Sequence, residues 1–199
     1  FRRQDLHEDP LEQFRLWYAE ARGCGLREPD AMALATVDEQ GHPSVRTVLL
    51  RGLRPDGFVF YTNHESAKGR HLRKRPQASL CFHWEPLRRA VRVAGGVLPL
   101  SREESEPYFQ SRPRSSQVAA WSSPQSRVIA SREVMEQAVQ EAERKFEGQA
   151  ALPCPPFWGG YLVTPQTIEF WVSQPSRLHD RLRYRREAGG GWLVERLSP

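Results

Sequence analysis

The sequence predicts an α+β fold, a mainly antiparallel β-barrel with helices attached, and three observations support it. Between Ala31 and Leu98 the chain is a succession of short aromatic and β-branched runs, interrupted by a single short basic helix. Turn residues such as Asp38-Glu-Gln-Gly41 and Pro55-Asp-Gly57 separate these runs at regular spacing, as in a meander that forms a barrel or sandwich. With 199 residues, 39% of them apolar and 10% aromatic, the chain can bury a substantial core within one large domain. That domain is read as 1–199, with residues 1–9 as an extended arm and 152–156 as a rigid Pro-rich linker inside it.

Asp9-Pro10 opens the first helix, with Asp9 as N-cap and Pro10 at the first helical position, where its missing N–H costs nothing. Leu11, Phe14, Trp17 and Ala21 give this helix an apolar stripe that ends near Gly23-Cys-Gly25, and a stripe of this kind belongs to the core. Strands follow at 31–37, 43–53 and 58–62, then a basic helix from Ser66 to about Arg75, then strands at 78–84 and 89–98. Ser101-Arg-Glu-Glu104 is a capping box for a helix to about Gln110. Pro113 breaks that helix and starts the next, which carries Gln117 to Trp121. A polar helix from Ser131 to about Glu147 has the opposite-charge neighbours of a solvated surface element. Strands at 158–163, 167–172, 178–185 and 192–196 complete the barrel.

Composition narrows the function classes. No apolar run is long enough to span a bilayer and no signal peptide opens the chain, although it starts at Phe1 without Met, so a leading segment is expected. Cys24, Cys81 and Cys154 are odd in number and lack metal-ligand spacing, which suits reduced thiols in a cytoplasmic protein. The net charge is +5, and lysine occurs only at 68, 74 and 145, so arginine supplies nearly all of the 29 basic residues. Arg70 to Arg75 resembles a nucleic-acid patch, but the 24 acidic residues are interspersed and no nucleic-acid-binding signature is present. We therefore expect neither a nucleic-acid nor a membrane partner. No Ser-His-Asp order, metal-binding spacing or Gly-rich nucleotide loop is found, so hard chemistry points to an organic cofactor.

Three clusters carry chemistry. The first joins Arg46 and Arg51 to Tyr61-Thr62 and Ser66-Ala-Lys-Gly-Arg70. An arginine within an apolar strand is costly unless paired or bound to an anion, and Lys68 near a helix start lies beside free N–H groups. The second is Tyr108-Phe-Gln-Ser-Arg112-Pro-Arg-Ser-Ser116, a phenol, a guanidinium and a hydroxyl within reach of one phosphate; helix capping is the plainer role for Ser115 or Ser116. The third is Glu169 to Arg186. Arg177, His179 and Arg181 occupy alternate positions there, so an extended strand would put them on one face. A plain basic edge strand is the alternative meaning.

Taken together, these clusters resemble the pyridoxine/pyridoxamine 5′-phosphate oxidase family. The resemblance rests on Arg46-Thr-Val-Leu-Leu50, Phe60-Tyr-Thr-Asn63, Tyr108-Phe-Gln-Ser-Arg-Pro113, Trp158-Gly-Gly160, Ile168-Glu-Phe-Trp171 and Arg177-Leu-His-Asp-Arg181, and it runs over nearly the whole chain. It implies an FMN-binding split β-barrel with peripheral helices, working as a homodimer with FMN at the subunit interface. Arg46, Thr62 and Lys68 would hold the FMN phosphate. The backbone of Thr47, Val48, Leu49 and Leu50, with Tyr61, would line the flavin, and Gln125, Ser126, Trp171 and Arg181 would complete its site, some from the second subunit. Arg51, Tyr108, Arg112 and Ser116 would grip the substrate phosphate, while Arg177 and His179 would cover the pyridine ring as the catalytic pair. The implied reaction is oxidation of pyridoxine or pyridoxamine 5′-phosphate by dioxygen to pyridoxal 5′-phosphate and hydrogen peroxide.

Departures from the family pattern fall mainly on the flavin side, with one at the substrate phosphate. Arg51 stands where lysine is usual, Ala67 where an arginine is usual, and Ala90 and Val172 replace glutamines. They imply weaker FMN binding, or compensation by a neighbour such as Arg70 or Arg92. Two rival readings are a phenazine-biosynthesis-type flavin oxidase and a non-catalytic module holding FMN or pyridoxal phosphate.

Overall fold

The structure, a computed structural model, describes residues 1–199. Helix α1 (Pro10–Gly23) is followed by β1 (Ala31–Val37), β2 (Pro43–Leu49), β3 (Gly52–Arg54) and β4 (Gly57–Asn63). Helix α2 (Ala67–Lys74) leads to β5 (Gln77–Trp84) and β6 (Arg89–Pro99). Helices α3 (Arg102–Ser111), α4 (Arg114–Ser122) and α5 (Arg132–Lys145) precede β7 (Trp158–Val172), β8 (Asp180–Arg186) and β9 (Trp192–Arg196).

All nine strands belong to one antiparallel sheet, ordered β2-β1-β5-β6-β7-β4-β3, with β8 and β9 branching from β7. β7 makes the branch possible because it is one long strand, not the two expected at 158–163 and 167–172. Its first half pairs with β4 and its second half with β8, while β6 runs along its other edge from Tyr161 to Val172. A bulge between Ala94 and Gly95 absorbs the bend. Only glycine fits there, since a Cβ on Gly95 would lie 2.0 Å from the Thr164 carbonyl oxygen.

The single strand expected at 43–53 is also two. After β2 the Leu50 N–H donates to the Asp30 carbonyl and the Arg51 N–H donates to that of Val59. The chain thus leaves β1 and joins β4, which curls the sheet into a half-barrel.

α1 fills the curl as its apolar stripe predicts. Asp9 accepts from the Leu11 N–H, and Leu11, Phe14, Trp17 and Ala21 are buried. The Phe14 ring lies 4.9 Å from those of both Phe58 and Phe82, and Trp17 meets Phe170 edge-on at 5.0 Å. A second, smaller core lies beneath the helices, where Phe109, Val118, Phe146, Leu152, Cys154 and Trp158 pack together. The 152–156 stretch is part of that core and no linker: Leu152 is fully buried, and its N–H and C=O pair with Gln117 and Gln110. The outward face of α5 is solvated, but Val139 and Ala142 turn into the core.

Residues 1–9 do not form a free extended arm. They include a 3₁₀ turn at Arg3–Asp5, Phe1 packs on Trp17 at 5.3 Å, and Tyr184 donates its hydroxyl to the His7 carbonyl. No helix is long and apolar enough to cross a membrane.

Candidate active site

The curl of the sheet and the α3–α4 layer enclose a cleft of about 590 Å³. β2 contributes Thr47, Val48 and Leu49, and Arg51 follows at the strand switch; β4 contributes Tyr61, Thr62 and Asn63. Lys68 enters from the first turn of α2, Tyr108 from α3, Arg112 and Pro113 from the α3–α4 junction, and Ser116 from α4. Gln125 and Trp158 complete the wall. The first two sequence clusters, far apart in the chain, therefore meet in one cavity. A larger depression of about 830 Å³ lies along α5, where Arg132 and Glu136 pair with each other and no reactive cluster faces in.

One side of the cleft is built for an anion. Ser66 caps α2 by accepting from the Gly69 N–H, which brings Lys68 into the interior with 8% of its surface exposed. Its Nζ donates to Thr62 Oγ1 (3.3 Å), Ser66 Oγ (3.5 Å) and Gln125 Oε1 (2.9 Å), and no carboxylate pairs with it. Burial, helped by the nearby charge of Arg46, pulls its pKa down to about 8. Arg46 itself stands just behind. Its guanidinium donates to the Leu34 carbonyl, Thr36 Oγ1 and Ser44 Oγ, again with no carboxylate, and burial lowers its pKa. Two cations without counter-charge, beside a helix start and hydroxyl groups, suit a phosphate monoester. β2 is an edge strand, so its outer backbone groups are available to a flat polar heterocycle. This donor set fits the FMN that the family resemblance implies.

The other side is also cationic. Arg112 ends α3 with its guanidinium half-buried; Nη1 is buried without a hydrogen-bond partner, and burial lowers the group's pKa. Tyr108 stacks on Tyr61 at 4.1 Å. Ser116 does not cap α4, because Pro113 occupies the N-cap. Its hydroxyl is thus left to the cleft. Arg51 reaches the cleft but is held by Asp30, Nη1 to Oδ2 2.8 Å, so its fork is shared.

Trp171, Arg177, His179 and Arg181 do not line this cleft, nor do Arg46, Leu50 and Ser126. Leu50 is buried in the core, and Ser126 is exposed with φ 67°. The expected row of Arg177, His179 and Arg181 on one strand face is not formed, because β8 begins only at Asp180. Pro175–Arg177 form a 3₁₀ turn in which Ser176 and Arg177 have φ of 56° and 62°. The Gln174-Pro175 start and these left-handed residues turn the chain sharply out of β7, at a conformational cost met at ligand-binding segments. Arg177 is exposed and unpaired. His179 accepts from the Gln174 N–H through Nδ1 at 3.2 Å and packs on Trp171, ring centroids 4.6 Å apart. Arg181 is held by Glu169, at 2.8 and 3.1 Å. Trp171, His179 and Arg181 thus form a second group around the turn that leaves β7.

Of the flavin-side departures, Ala67 opens α2 and Ala90 is buried between β5 and β7, opposite His83 and Trp171. The neighbours expected to compensate do not reach the cleft. Arg70 folds onto the Glu65 carbonyl, and Arg92 pairs with Glu169. Sequence reasoning assigned no role to Asn63, Ser123 or Trp158, all of which line the cavity. Asn63 and Trp158 each left a signal, in the Phe-Tyr-Thr-Asn and Trp-Gly-Gly motifs, and Ser123 left none.

Comparison with known proteins bears on both groups. Residues 19–146 match the family model described as pyridoxamine 5′-phosphate oxidase, and residues 158–199 match that of the pyridoxine 5′-phosphate oxidase C-terminal dimerisation region. The chain is 53% identical over 198 residues to the pyridoxine/pyridoxamine 5′-phosphate oxidase of Acidothermus cellulolyticus, covering 98% of this chain and 88% of that one. It is 50% identical to the protein of the same name from Salinibacter ruber, covering 99% and 92%. Among solved structures it resembles PhzG from Burkholderia lata in complex with tetrahydrophenazine-1-carboxylic acid, at 31% identity and a TM-score of 0.91, covering 98% of this chain and 95% of that chain.

Proposed function

The chain belongs to the pyridoxamine 5′-phosphate oxidase family, and from that premise we propose how its residues divide the FMN-dependent oxidation of pyridoxine or pyridoxamine 5′-phosphate to pyridoxal 5′-phosphate. The observation that carries the reading is a single cleft with two cationic ends, Lys68 with Arg46 behind it and Arg112 with Arg51, in which neither Lys68 nor Arg112 has a carboxylate partner. Two such ends match two phosphates, one on the cofactor and one on the substrate.

Lys68, Thr62 and Arg46 take the FMN phosphate, and the backbone from Thr47 to Leu50 follows the flavin with Tyr61. FMN held there would supply the hydride acceptor for oxidation at the substrate carbon attached to the ring's 4-position, with dioxygen as the terminal oxidant reduced to hydrogen peroxide. Arg112, Tyr108, Ser116 and the free arm of Arg51 hold the substrate phosphate. That anchoring fixes the ring and reduces the entropy of reaching the reactive geometry. Arg177, His179, Trp171 and Arg181 come from a second copy of the chain, whose turn after β7 covers the cleft. With His179 Nδ1 occupied by the Gln174 N–H, Nε2 is the nitrogen free to hold a proton near the substrate. Gln125 and Ser126 complete the flavin side. We read 1–199 as one unit acting as a homodimer in the cytoplasm. Because Ala67 leaves a cation out of the phosphate site, Ala67→Arg is expected to tighten FMN binding on the order of tenfold; an unchanged dissociation constant would count against a weakened site.

The deciding experiment supplies the purified protein with FMN and pyridoxine 5′-phosphate and follows aldehyde and peroxide. Turnover of the phosphorylated substrate supports the assignment. Bound flavin without turnover points to a binding module. The likeness to PhzG favours a second reading, a phenazine-type oxidase, which predicts turnover only of unphosphorylated ring substrates. Tyr108, Arg112 and Ser116 converging on the cleft argue for the phosphate.

A further inference from the structure

The two arginines at the substrate end of the cleft are held by different means. Arg51 is anchored by the Asp30 carboxylate, which fixes the fork but neutralises much of its charge. Arg112 has no carboxylate. Its guanidinium carbon lies 4.9 Å from the centre of the Trp158 ring and 5.7 Å from that of Phe109, and Nη1 is buried without a partner. An aromatic face attracts a cation without consuming its N–H groups, so all of Arg112's donors stay free for an incoming anion.

Trp158 is well placed to be that face. It opens β7, where it pairs with Asn63 and donates its N–H to the Pro155 carbonyl. Phe109 meets its ring edge-on at 5.1 Å and 69°. Its other neighbours are the two tyrosines of the cleft. Tyr61 lies parallel to it at 5.3 Å and 11°, and Tyr108 at 6.2 Å and 12°. Gly160, two residues on, lets this stack close. A Cβ on Gly160 would lie 2.9 Å from Tyr61 Cε1 and 2.6 Å from Leu100 Cδ1, so any side chain there would push the Tyr61 ring out of line.

We infer that Trp158 is the positioning residue of the substrate-phosphate grip: its ring orients Arg112 and Tyr108 and leaves the guanidinium uncompensated for the phosphate. This rests on the oxidase reading only for the identity of the substrate. The anion grip itself does not depend on it.

The experiment uses the full chain carrying FMN. Trp158→Leu keeps apolar bulk and removes the ring face, while Trp158→Phe keeps a smaller one. For Trp158→Leu, KM for pyridoxine 5′-phosphate and the dissociation constant of inorganic phosphate measured by calorimetry are both expected to rise on the order of tenfold. With FMN saturating, its kcat should stay within about twofold of wild type, and Trp158→Phe should restore most of the loss, ending about two- to threefold above wild type. Unchanged phosphate binding in folded Trp158→Leu overturns the inference. So does a loss confined to kcat or FMN affinity, and so does an equal loss in both variants. If Trp158→Leu fails to fold, Trp158→Phe carries the test, and unchanged phosphate binding there overturns it. Phosphate binding is read without turnover, so a wild-type protein that binds phosphate but does not oxidise the substrate would sink the oxidase reading and leave this one standing.

Discussion

With Lys68 assigned to the FMN phosphate as proposed, its burial would make it a sensor of that ligand. Its pKa of about 8 means that the free site holds a charged amine at pH 7 and a neutral one above pH 8, whereas a bound phosphate draws the proton back. Above about pH 8, binding must take up a proton, and the FMN dissociation constant should climb toward tenfold per pH unit. Lys68→Arg, which stays charged, is expected to flatten that slope in a flavin-fluorescence titration. His64 makes the opposite kind of case. It packs on Tyr161 with Nε2 buried and unpartnered, and burial, with the charge of Arg73, holds its pKa below the ordinary 6.5. The unfolded chain takes up the proton near 6.5 and the folded one only at lower pH, so stability is lost as pH falls below that value. Replacing His64 by Phe should reduce the fall in melting temperature between about pH 7 and pH 5.

At the level of elements, β7 decides the architecture. Its length lets one strand serve β6 on one edge and both β4 and β8 on the other, and the bulge at Gly95 lets β6 follow it. Gly95→Ala would force a methyl against the Thr164 carbonyl, and we expect a loss on the order of 2–4 kcal/mol, read by denaturant unfolding. The turn after β7 carries the second chemical group. Its left-handed Ser176 and Arg177 explain why alternation along the sequence did not translate into a shared face. Alternate residues share a face only while the backbone is extended.

For the whole molecule, the cleft and the Arg177–Arg181 turn are separate groups on one chain, and the C-terminal residues 158–199 match a dimerisation region. If each cleft is covered by the turn of its partner, two inactive variants can rescue each other. Arg112→Ala lacks the grip and Arg177→Ala lacks the cover, so a mixed dimer holds one intact site. Equal mixing after unfolding and refolding should restore up to about a quarter of wild-type activity, since half of the dimers are mixed and each has one working site of two. No recovery would place both groups of a working site on a single chain.

By itself the sequence determined the helices, most strands and the two cationic clusters that meet in the cleft, because caps, apolar stripes and turn residues act over a few positions. Asp9-Pro10 and Ser101-Arg-Glu-Glu104 start helices wherever they stand. The sequence clusters named Lys68, Tyr108 and Arg112 for the same reason: each cluster is built from short local runs. Only the tertiary structure decided what depended on distant partners. The switch at Leu50–Arg51 needs the carbonyls of Asp30 and Val59, and the unity of β7 needs β6 alongside it. The role of Trp158 needs Arg112, which is 46 positions away in the chain. The sequence also offered Arg70 and Arg92 as spare cations, but Arg70 is turned onto the Glu65 backbone carbonyl and Arg92 is paired with the Glu169 carboxylate. Charge is written in the sequence, but whether a charge is free for a ligand is settled by what the fold packs beside it.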